Sequence, residues 1–272
     1  MYKIIFSDMD ETFLGEGHKI PAPNYEALAR MKELGVMFVP TSGRGYFSIM
    51  DNFTDVDPAI IEGSYVISYN GGSINRFGDP EPITDHHLDH DLANELWAVG
   101  YERGMCMHAY TPEAPIYIFN LPESERRYLT GLKDLIEIDS PTLDAYPVVS
   151  KVIYCSEDMD EIHRFADEVV APMLGDKADI TFSSGRYLEV VPAGVSKGNG
   201  LRELAGMLGI DIADTVGVGD APNDLEMLKA AGCSVGVANI DDECRPYCDL
   251  VLNTKGPDGA FPELLDKLFY GK

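Results

Sequence analysis

Residues 4–14 read IIFSDMDETFL, and in this stretch an apolar run meets three acids. The run IIF is typical of a short buried strand. Unpaired charge is costly beside apolar residues, so Asp8, Asp10 and Glu11 either turn into solvent or face a positive partner. The stretch therefore predicts a buried strand whose carboxyl end carries acids.

Strands and helices alternate on both sides of the middle of the chain. A stripe of apolar residues at helical spacing runs through residues 21–35, and Gly35 is typical of a helix end. Short strands alternating with helices predict a parallel sheet covered on both faces, which is an α/β fold. The predicted strands are 2–7, 36–40, 65–74, 215–220, 233–237 and 249–252, and the predicted helices include 21–35, 196–209, 223–232 and 260–269.

The middle of the chain follows a different order, with runs of strands beside helices. Two paired strands, a further strand and a hairpin around Ser184 and Gly185 are predicted there, with helices over 85–104 and 157–170. This order predicts an α+β module inserted into the α/β domain. We expect a discontinuous core of residues 1–81 and 188–272, with the inserted domain over 82–187.

The charge of the chain limits its partners. Forty-six acids against 21 bases give a formal charge of -25, which repels nucleic acid and anionic membranes. No apolar stretch reaches the roughly 20 residues of a membrane helix, and no signal peptide is recognised, which predicts a cytoplasmic protein. The five scattered cysteines complete no zinc pattern, even where Cys244 and Cys248 are close, and we interpret them as reduced thiols.

Four segments should meet at the carboxyl ends of the parallel strands, where ligands bind in open α/β sheets. Carboxylates without sulfur or imidazole suit Mg²⁺, whereas lysine and a hydroxyl suit a phosphate. An aspartate can also attack phosphorus while a second acid transfers the proton. The residues concerned are Asp8, Asp10, Thr41, Ser42, Gly43, Arg44, Ser196, Lys197, Asp220, Asn223 and Asp224.

These segments resemble the four ordered motifs of the haloacid dehalogenase (HAD) superfamily. The insertion resembles the type IIB cap, also called C2B, of the Cof-like phosphatases in that superfamily. The resemblance extends over essentially the whole chain and implies a Rossmann-like α/β core with a parallel sheet and an inserted α+β cap domain. The four motifs are DMDETF (8–13), TSGR (41–44), SKG (196–198) and GDAPND (219–224), and SYNGGSI (68–74) strengthens the match.

The resemblance also implies roles for individual residues. Asp8 is expected to be the nucleophile, and Asp10 the general acid and base. Lys197 would balance the charge on Asp8 and on the phosphoryl group. The expected catalytic residues are Asp8 and Asp10; the phosphate-binding residues are Ser42, Gly43, Lys197 and Asn223; the Mg²⁺ ligands are Asp8, Asp10 through its carbonyl, Asp220 and Asp224.

Several positions leave alternatives open. Glu11 stands where relatives commonly carry glycine. Its side chain has three possible roles: it points into solvent, assists a substrate hydroxyl or adjusts the outer shell of the metal. We favour the first. Arg44 binds phosphate or forms a structural salt bridge. Asn70 is interpreted as a turn residue, and the alternative is a contact with the substrate. The segment DHHLDHD contains three histidines, His86, His87 and His90. No further metal ligands are evident near them in the sequence, so we interpret them as surface residues.

The sequence thus predicts a Mg²⁺-dependent phosphatase that acts on a small phosphorylated metabolite through a phospho-Asp8 intermediate. The cap is expected to close over the core and select the substrate, and sugar phosphates, pyridoxal phosphate and flavin mononucleotide are the candidates. The alternatives are a phosphomutase and a non-catalytic regulatory module that binds a phosphometabolite. A dehalogenase needs no second acid, so Asp10 counts against it. The predicted assembly is a monomer or a small homo-oligomer.

Overall fold

The computed structural model describes residues 1–112, 115–129 and 135–271. Its strands are β1 (Ile4–Ser7), β2 (Met37–Pro40), β3 (Tyr65–Ser68), β4 (Ser73–Arg76), β5 (Pro82–Asp85), β6 (Cys106–Tyr110), β7 (Ile116–Phe119), β8 (Leu135–Glu137), β9 (Lys151–Cys155), β10 (Ala178–Ser183), β11 (Tyr187–Pro192), β12 (Thr215–Gly219), β13 (Cys233–Gly236) and β14 (Leu250–Val251). Its α-helices are α1 (Ala22–Glu33), α2 (Tyr46–Met50), α3 (Pro58–Ile61), α4 (His90–Glu102), α5 (Glu123–Tyr128), α6 (Met159–Phe165), α7 (Ala171–Leu174), α8 (Lys197–Leu208), α9 (Leu225–Ala230) and α10 (Phe261–Phe269).

The chain divides into two compact units, Met1–Asp85 with Ser196–Lys272, and His86–Val195. These boundaries differ from the expected 82–187 because of strand pairing. Strand β5 pairs with β4 in the first unit, and β11 pairs with β9 and β10 in the second. Pairing partners of this kind are not visible in the local sequence pattern.

The first unit is built on a parallel sheet in the order β14-β13-β12-β1-β2. Strand β1 is completely buried at its centre, and its successive side chains reach opposite faces. Ile5 packs into a cluster with residues of α1 and α10, whereas Ile4 and Phe6 pack with residues of α8 and α9. The predicted parallel sheet with helices on both faces is confirmed.

The segment 65–74, predicted as one strand with a turn at residues 70–72, is a hairpin of two antiparallel strands. Tyr69, Asn70 and Gly71 have positive φ angles of 52°, 56° and 99°, which reverse the chain between β3 and β4. Strands β3, β4 and β5 form a separate antiparallel sheet, joined to the end of β2 by a parallel bridge between Thr41 and Ile67.

The second unit contains a sheet in the order β10-β11-β9-β6-β7-β8, antiparallel except where β7 meets β8. Trp97 and Met107 are fully buried in its core, where Trp97 Nε1 donates a hydrogen bond to the Ser140 carbonyl at 2.8 Å. The predicted hairpin turns at Ser184 and Gly185, both with positive φ. An α+β unit is therefore inserted into the α/β fold.

Two predicted helices of this unit differ in detail. Helix α4 begins at His90 because the Asp89 carboxylate accepts a hydrogen bond from Leu92 N at 3.0 Å, so His86 does not share its face. The predicted helix 157–170 consists of α6 followed by a π-helical turn over Ala166–Val170. Within the described ranges, no helix is long and apolar enough to cross a bilayer.

Gly71→Ala tests the hairpin that carries the NGG sequence. A Cβ at Gly71 would lie 2.2 Å from the Ser196 carbonyl oxygen, at a φ of +99°. We expect a loss of at least about 3 kcal/mol in the free energy of unfolding, from backbone strain plus the clash. The control is Gly78→Ala, where φ is +85° and nothing lies within 4 Å, and where about 1 kcal/mol should be lost. Equal losses in urea unfolding would contradict the proposed clash.

Glu11→Gly tests the backbone of the turn that follows β1. Glu11 is exposed and has a φ of 58°, a left-handed conformation that costs a side chain with Cβ about 1 kcal/mol. Glu11→Ala removes the same charge but keeps Cβ. We therefore expect the Gly variant to be about 1 kcal/mol more stable than the Ala variant in urea unfolding. An Ala variant of equal or greater stability would show that the left-handed backbone carries no such cost.

Candidate active site

Strand order brings the ends of β1 and β12 side by side. Asp8 follows β1, and its backbone N–H donates to the Val218 carbonyl at 2.9 Å. Asp220 directly follows the end of β12, the strand that neighbours β1. The parallel pairing therefore places two acids from distant parts of the chain at one edge of the sheet.

Three carboxylates gather at this edge. Asp8, Asp220 and Asp224 each offer an oxygen, and these oxygens all lie within 4.8 Å of one another. Asp8 is 6% exposed and Asp224 is fully buried. Because buried like charges repel strongly, this group, here called the acid cluster, requires a positive partner.

Lys197 is that partner among the described residues. Its Nζ donates to Asp8 Oδ1 and, at 2.6 Å, to Asp224 Oδ1. Lys197 is fully buried and begins α8, where the Ser196 hydroxyl caps the helix by accepting from Asn199 N at 3.1 Å. The cap fixes the start of the helix and therefore the position of the lysine.

One lysine does not neutralise three carboxylates, and the pKa values reflect this excess. Burial and the charge of Asp224 raise the pKa of Asp8 well above its usual range, despite the contact with Lys197. Burial also raises the pKa of Asp220 to about 6, with a smaller contribution from Asp224. Burial opposes the charge of Lys197, but Asp224 and Asp8 outweigh it and raise the pKa of the lysine. The cluster would therefore gain from another cation.

Asp224 is held more tightly than the other two acids. Its Oδ2 accepts hydrogen bonds from the backbone N–H groups of Asp220 at 2.9 Å and Ala221 at 3.1 Å, while Oδ1 faces Lys197. A Cβ at Gly219 would lie 2.5 Å from the Asp224 Cβ, so this close approach requires glycine. Asp224 thereby orients both the lysine and the loop that carries Asp220.

Two residues without a predicted role support Asp220. The Thr12 hydroxyl donates to Asp220 Oδ1 at 2.6 Å. Asn239 Nδ2 donates to the Glu11 carbonyl at 2.9 Å and lies 3.4 Å from Asp220 Oδ2. Thr12 lies within the DMDETF motif, which is a signal for it, whereas Asn239 lies in the loop after β13, outside the four motifs, and was missed.

The Asp10 carboxylate lies in a different environment from the acid cluster. Its Oδ1 pairs with the Arg44 guanidinium and lies 2.9 Å from His18 Nδ1, and the Asp10 side chain is 40% exposed. The salt-bridge alternative for Arg44 is therefore the one observed. His18 was missed because a lone exposed histidine in a loop carries no sequence signal.

The remaining predicted residues lie along the same loops. Ser42 is buried, its hydroxyl accepts from Arg44 N at 3.2 Å, and its carbonyl accepts from Asn70 N at 2.9 Å. A Cβ at Gly43 would lie 3.1 Å from Asn70 Oδ1. Asn223 is half-buried in the turn before α9. Asn70 lies in the β3–β4 turn, in agreement with its interpretation as a turn residue.

Comparison with known proteins gives consistent matches over the whole chain. The family model of haloacid dehalogenase-like hydrolases matches residues 5–264. YxeH of Bacillus subtilis (strain 168), provisionally named a phosphatase, is 31% identical over 89% of this chain and 90% of its own. YwtE of the same strain, named a 5-amino-6-(5-phospho-D-ribitylamino)uracil phosphatase, is 27% identical over 99% of both chains.

A solved structure of a subclass IIB sugar phosphatase of the superfamily has a TM-score of 0.82 with this chain. It is 18% identical and the match covers 99% of each chain, so the likeness concerns the fold, including the inserted cap. The family match and the relative above 30% identity agree with the four motifs. The chain belongs to the haloacid dehalogenase-like hydrolase family.

Proposed function

We propose that this hydrolase removes the phosphoryl group from small phosphorylated metabolites by way of a phospho-Asp8 intermediate, with Mg²⁺ as cofactor. The observation that carries the proposal is the position of Asp8, a buried carboxylate beside Lys197 at the edge of a parallel sheet. A bound Mg²⁺ would offset the burial that raises the pKa of Asp8, so that the ionised carboxylate, held by the Lys197 cation, attacks without a proton to remove. The same cation can also bind the oxygens of an incoming phosphoryl group.

The donor set of the acid cluster fits Mg²⁺. All its ligand atoms are carboxylate oxygens, and three carboxylates beside one lysine leave an excess of negative charge. Asp8 and Asp220 would hold the ion, together with the Asp10 carbonyl expected from the family. Because both oxygens of Asp224 accept hydrogen bonds, we assign it chiefly to orienting Lys197 and the Asp220 loop. When bound, Mg²⁺ would neutralise charge on the phosphoryl oxygens.

The reaction divides the chemistry between two aspartates. An Asp8 oxygen attacks phosphorus, the bond from phosphorus to the alcohol oxygen breaks, and Asp10 gives that oxygen a proton. Water then attacks the phosphorus of phospho-Asp8 and gives its proton to Asp10, the bond from phosphorus to the Asp8 oxygen breaks, and inorganic phosphate leaves. In the structure the Asp10 carboxylate pairs with Arg44, so it must turn from this contact to donate its proton. Ser42, Gly43, Lys197 and Asn223 would hold the phosphoryl oxygens.

We propose sugar phosphates or similar polyol phosphates as the substrate class. YwtE is named for a substrate whose phosphate stands on a ribityl chain, and it aligns with 99% of this chain. The field of a chain with net charge -25 disfavours a polyanionic substrate such as a nucleic acid. A single phosphate monoester needs only the local cations of the site.

Asp8→Asn should lower phosphatase turnover at least about a thousandfold, because the amide cannot attack phosphorus. The assay measures phosphate release from p-nitrophenyl phosphate and from a panel of sugar phosphates, with Mg²⁺ and with EDTA. Asp10→Asn should cause a similar loss, and the exposed Asp55→Asn should cause none. Retained turnover in the Asp8 variant would rule out Asp8 as the nucleophile. Transfer of the phosphoryl group to a second hydroxyl, without phosphate release, would instead indicate a phosphomutase.

Asp220→Asn tests the metal site through stability. Because its pKa is raised to about 6, Asp220 binds its proton more tightly in the folded protein than in the unfolded chain. The metal-free protein therefore loses stability as pH rises from about 4 to about 6. At about pH 7.5 the metal-free variant should be about 1 to 2 kcal/mol more stable than the wild type, after allowance for solvent screening.

Mg²⁺ binding gives the second readout of this experiment. Mg²⁺ should raise the Tm of the wild type and of Asp55→Asn, because a ligand that binds only the folded state stabilises it. It should leave the Tm of Asp220→Asn almost unchanged. An equal Mg²⁺-induced rise in the Asp220 variant would remove this carboxylate from the metal site.

A further inference from the structure

A second group of potential metal ligands lies inside the second unit, on its β-sheet. Cys106 and His108 are two residues apart on β6, so their side chains share one face of the sheet. Cys155 is the direct partner of Cys106 on the neighbouring strand β9. Register pairing thus brings the Cys155 thiol to a thiol and an imidazole that lie far from it in the sequence.

The three ligand atoms are spaced as a metal ion requires. Cys155 Sγ lies 3.4 Å and Cys106 Sγ 4.0 Å from His108 Nε2, and all three atoms lie within 4.8 Å of one another. A tetrahedral zinc ion with bonds of about 2.0 to 2.3 Å separates its ligand atoms by roughly 3.3 to 3.8 Å. The observed spacing needs only small side-chain adjustments to match.

A buried carboxylate on α5 lies beside the imidazole of this group. Glu125 Oε1 lies 3.6 Å from His108 Nε2, and the Glu125 side chain is 2% exposed. This carboxylate is held in place, because Tyr187 OH donates to Oε1 at 2.5 Å and Arg186 pairs with Oε2 at 3.4 Å. This carboxylate contacts the imidazole and would supply the fourth donor by shifting toward the thiols.

We propose that Cys106, His108, Cys155 and Glu125 bind one Zn²⁺ ion. Two thiolates and one carboxylate carry three negative charges, which Zn²⁺ and the Arg186 guanidinium balance. Each thiol releases its proton to solvent as its Zn–S bond forms, and no redox step takes place. Because protein ligands fill all four positions, the ion is structural and joins β6, β9 and α5.

The chemistry of the donors separates this site from the acid cluster of the first unit. Sulfur and imidazole select zinc-like ions, whereas the oxygen-only acid cluster suits Mg²⁺. Cys106 and His108 are buried, whereas Cys155 is half-buried. The ion would therefore enter from solvent on the side of Cys155.

The test uses the full chain, reduced and stripped of metal, in saturating Mg²⁺ so that the acid cluster is occupied. Equilibrium dialysis against Zn²⁺ followed by metal analysis should give one Zn²⁺ per chain. Titration with Co²⁺, a spectroscopic substitute for Zn²⁺, should produce the near-ultraviolet band of cobalt–thiolate bonds. Phosphatase activity is not the readout, so the result is independent of the proposed function.

Variants assign the ligands. Cys106→Ser and Cys155→Ser should each weaken Zn²⁺ binding at least about 100-fold, whereas Cys248→Ser, a half-buried thiol of the first unit, should not change it. X-ray absorption of the zinc-loaded wild type should show two sulfur neighbours, which keeps the test decisive if a variant fails to fold. A shell without sulfur, unchanged binding in both variants, or a Cys106–Cys155 disulfide with no Zn²⁺ uptake after reduction would overturn the proposal.

Discussion

The pairing of the Lys197 ammonium with Asp8 and Asp224 is the interaction on which the first unit's site depends. Asp8 and Lys197 are 189 residues apart in the sequence, so this contact joins the first strand to a helix that begins after the inserted unit. Burying an ion pair costs desolvation energy that its attraction only partly offsets. The arrangement is therefore better explained by the chemistry of the site than by stability.

The excess of negative charge around this contact also affects the residues that surround it. One lysine faces three carboxylates, and further donors hold two of the acids in place: the N–H groups of Asp220 and Ala221 hold Asp224, and Thr12 holds Asp220. Glycine at 219 allows the loop to approach Asp224 closely. The same unbalanced negative charge would give a bound cation its binding energy.

The second unit uses the same structural principle with different donors. In both units, neighbouring strands place side chains from distant segments next to one another. At the ends of parallel β1 and β12 these side chains are carboxylates, whereas across antiparallel β6 and β9 they are thiols and an imidazole. A buried ion pair between Lys151 and Glu189, at 2.7 Å, lies on β9 and β11 of the same sheet. The insertion thus carries a polar network of its own.

The sequence by itself determined the alternation of strands and helices, the parallel core sheet, the hairpin at Ser184 and Gly185, and the family through four ordered motifs. These features are local, because side-chain periodicity and turn residues act over a few neighbours. It also picked out Asp8, Lys197, Asp220 and Asp224, since each lies within a motif at a strand or helix end.

Only the tertiary structure decided which of these side chains meet and what else holds them. It placed the Asp10 carboxylate with Arg44 and His18, gave both oxygens of Asp224 partners, and brought Asn239 to the Glu11 carbonyl. It also placed the first boundary between the units after β5 and paired Cys106 with Cys155 across neighbouring strands. Each of these depends on strand register and on contacts between distant segments, which no local pattern in the sequence encodes.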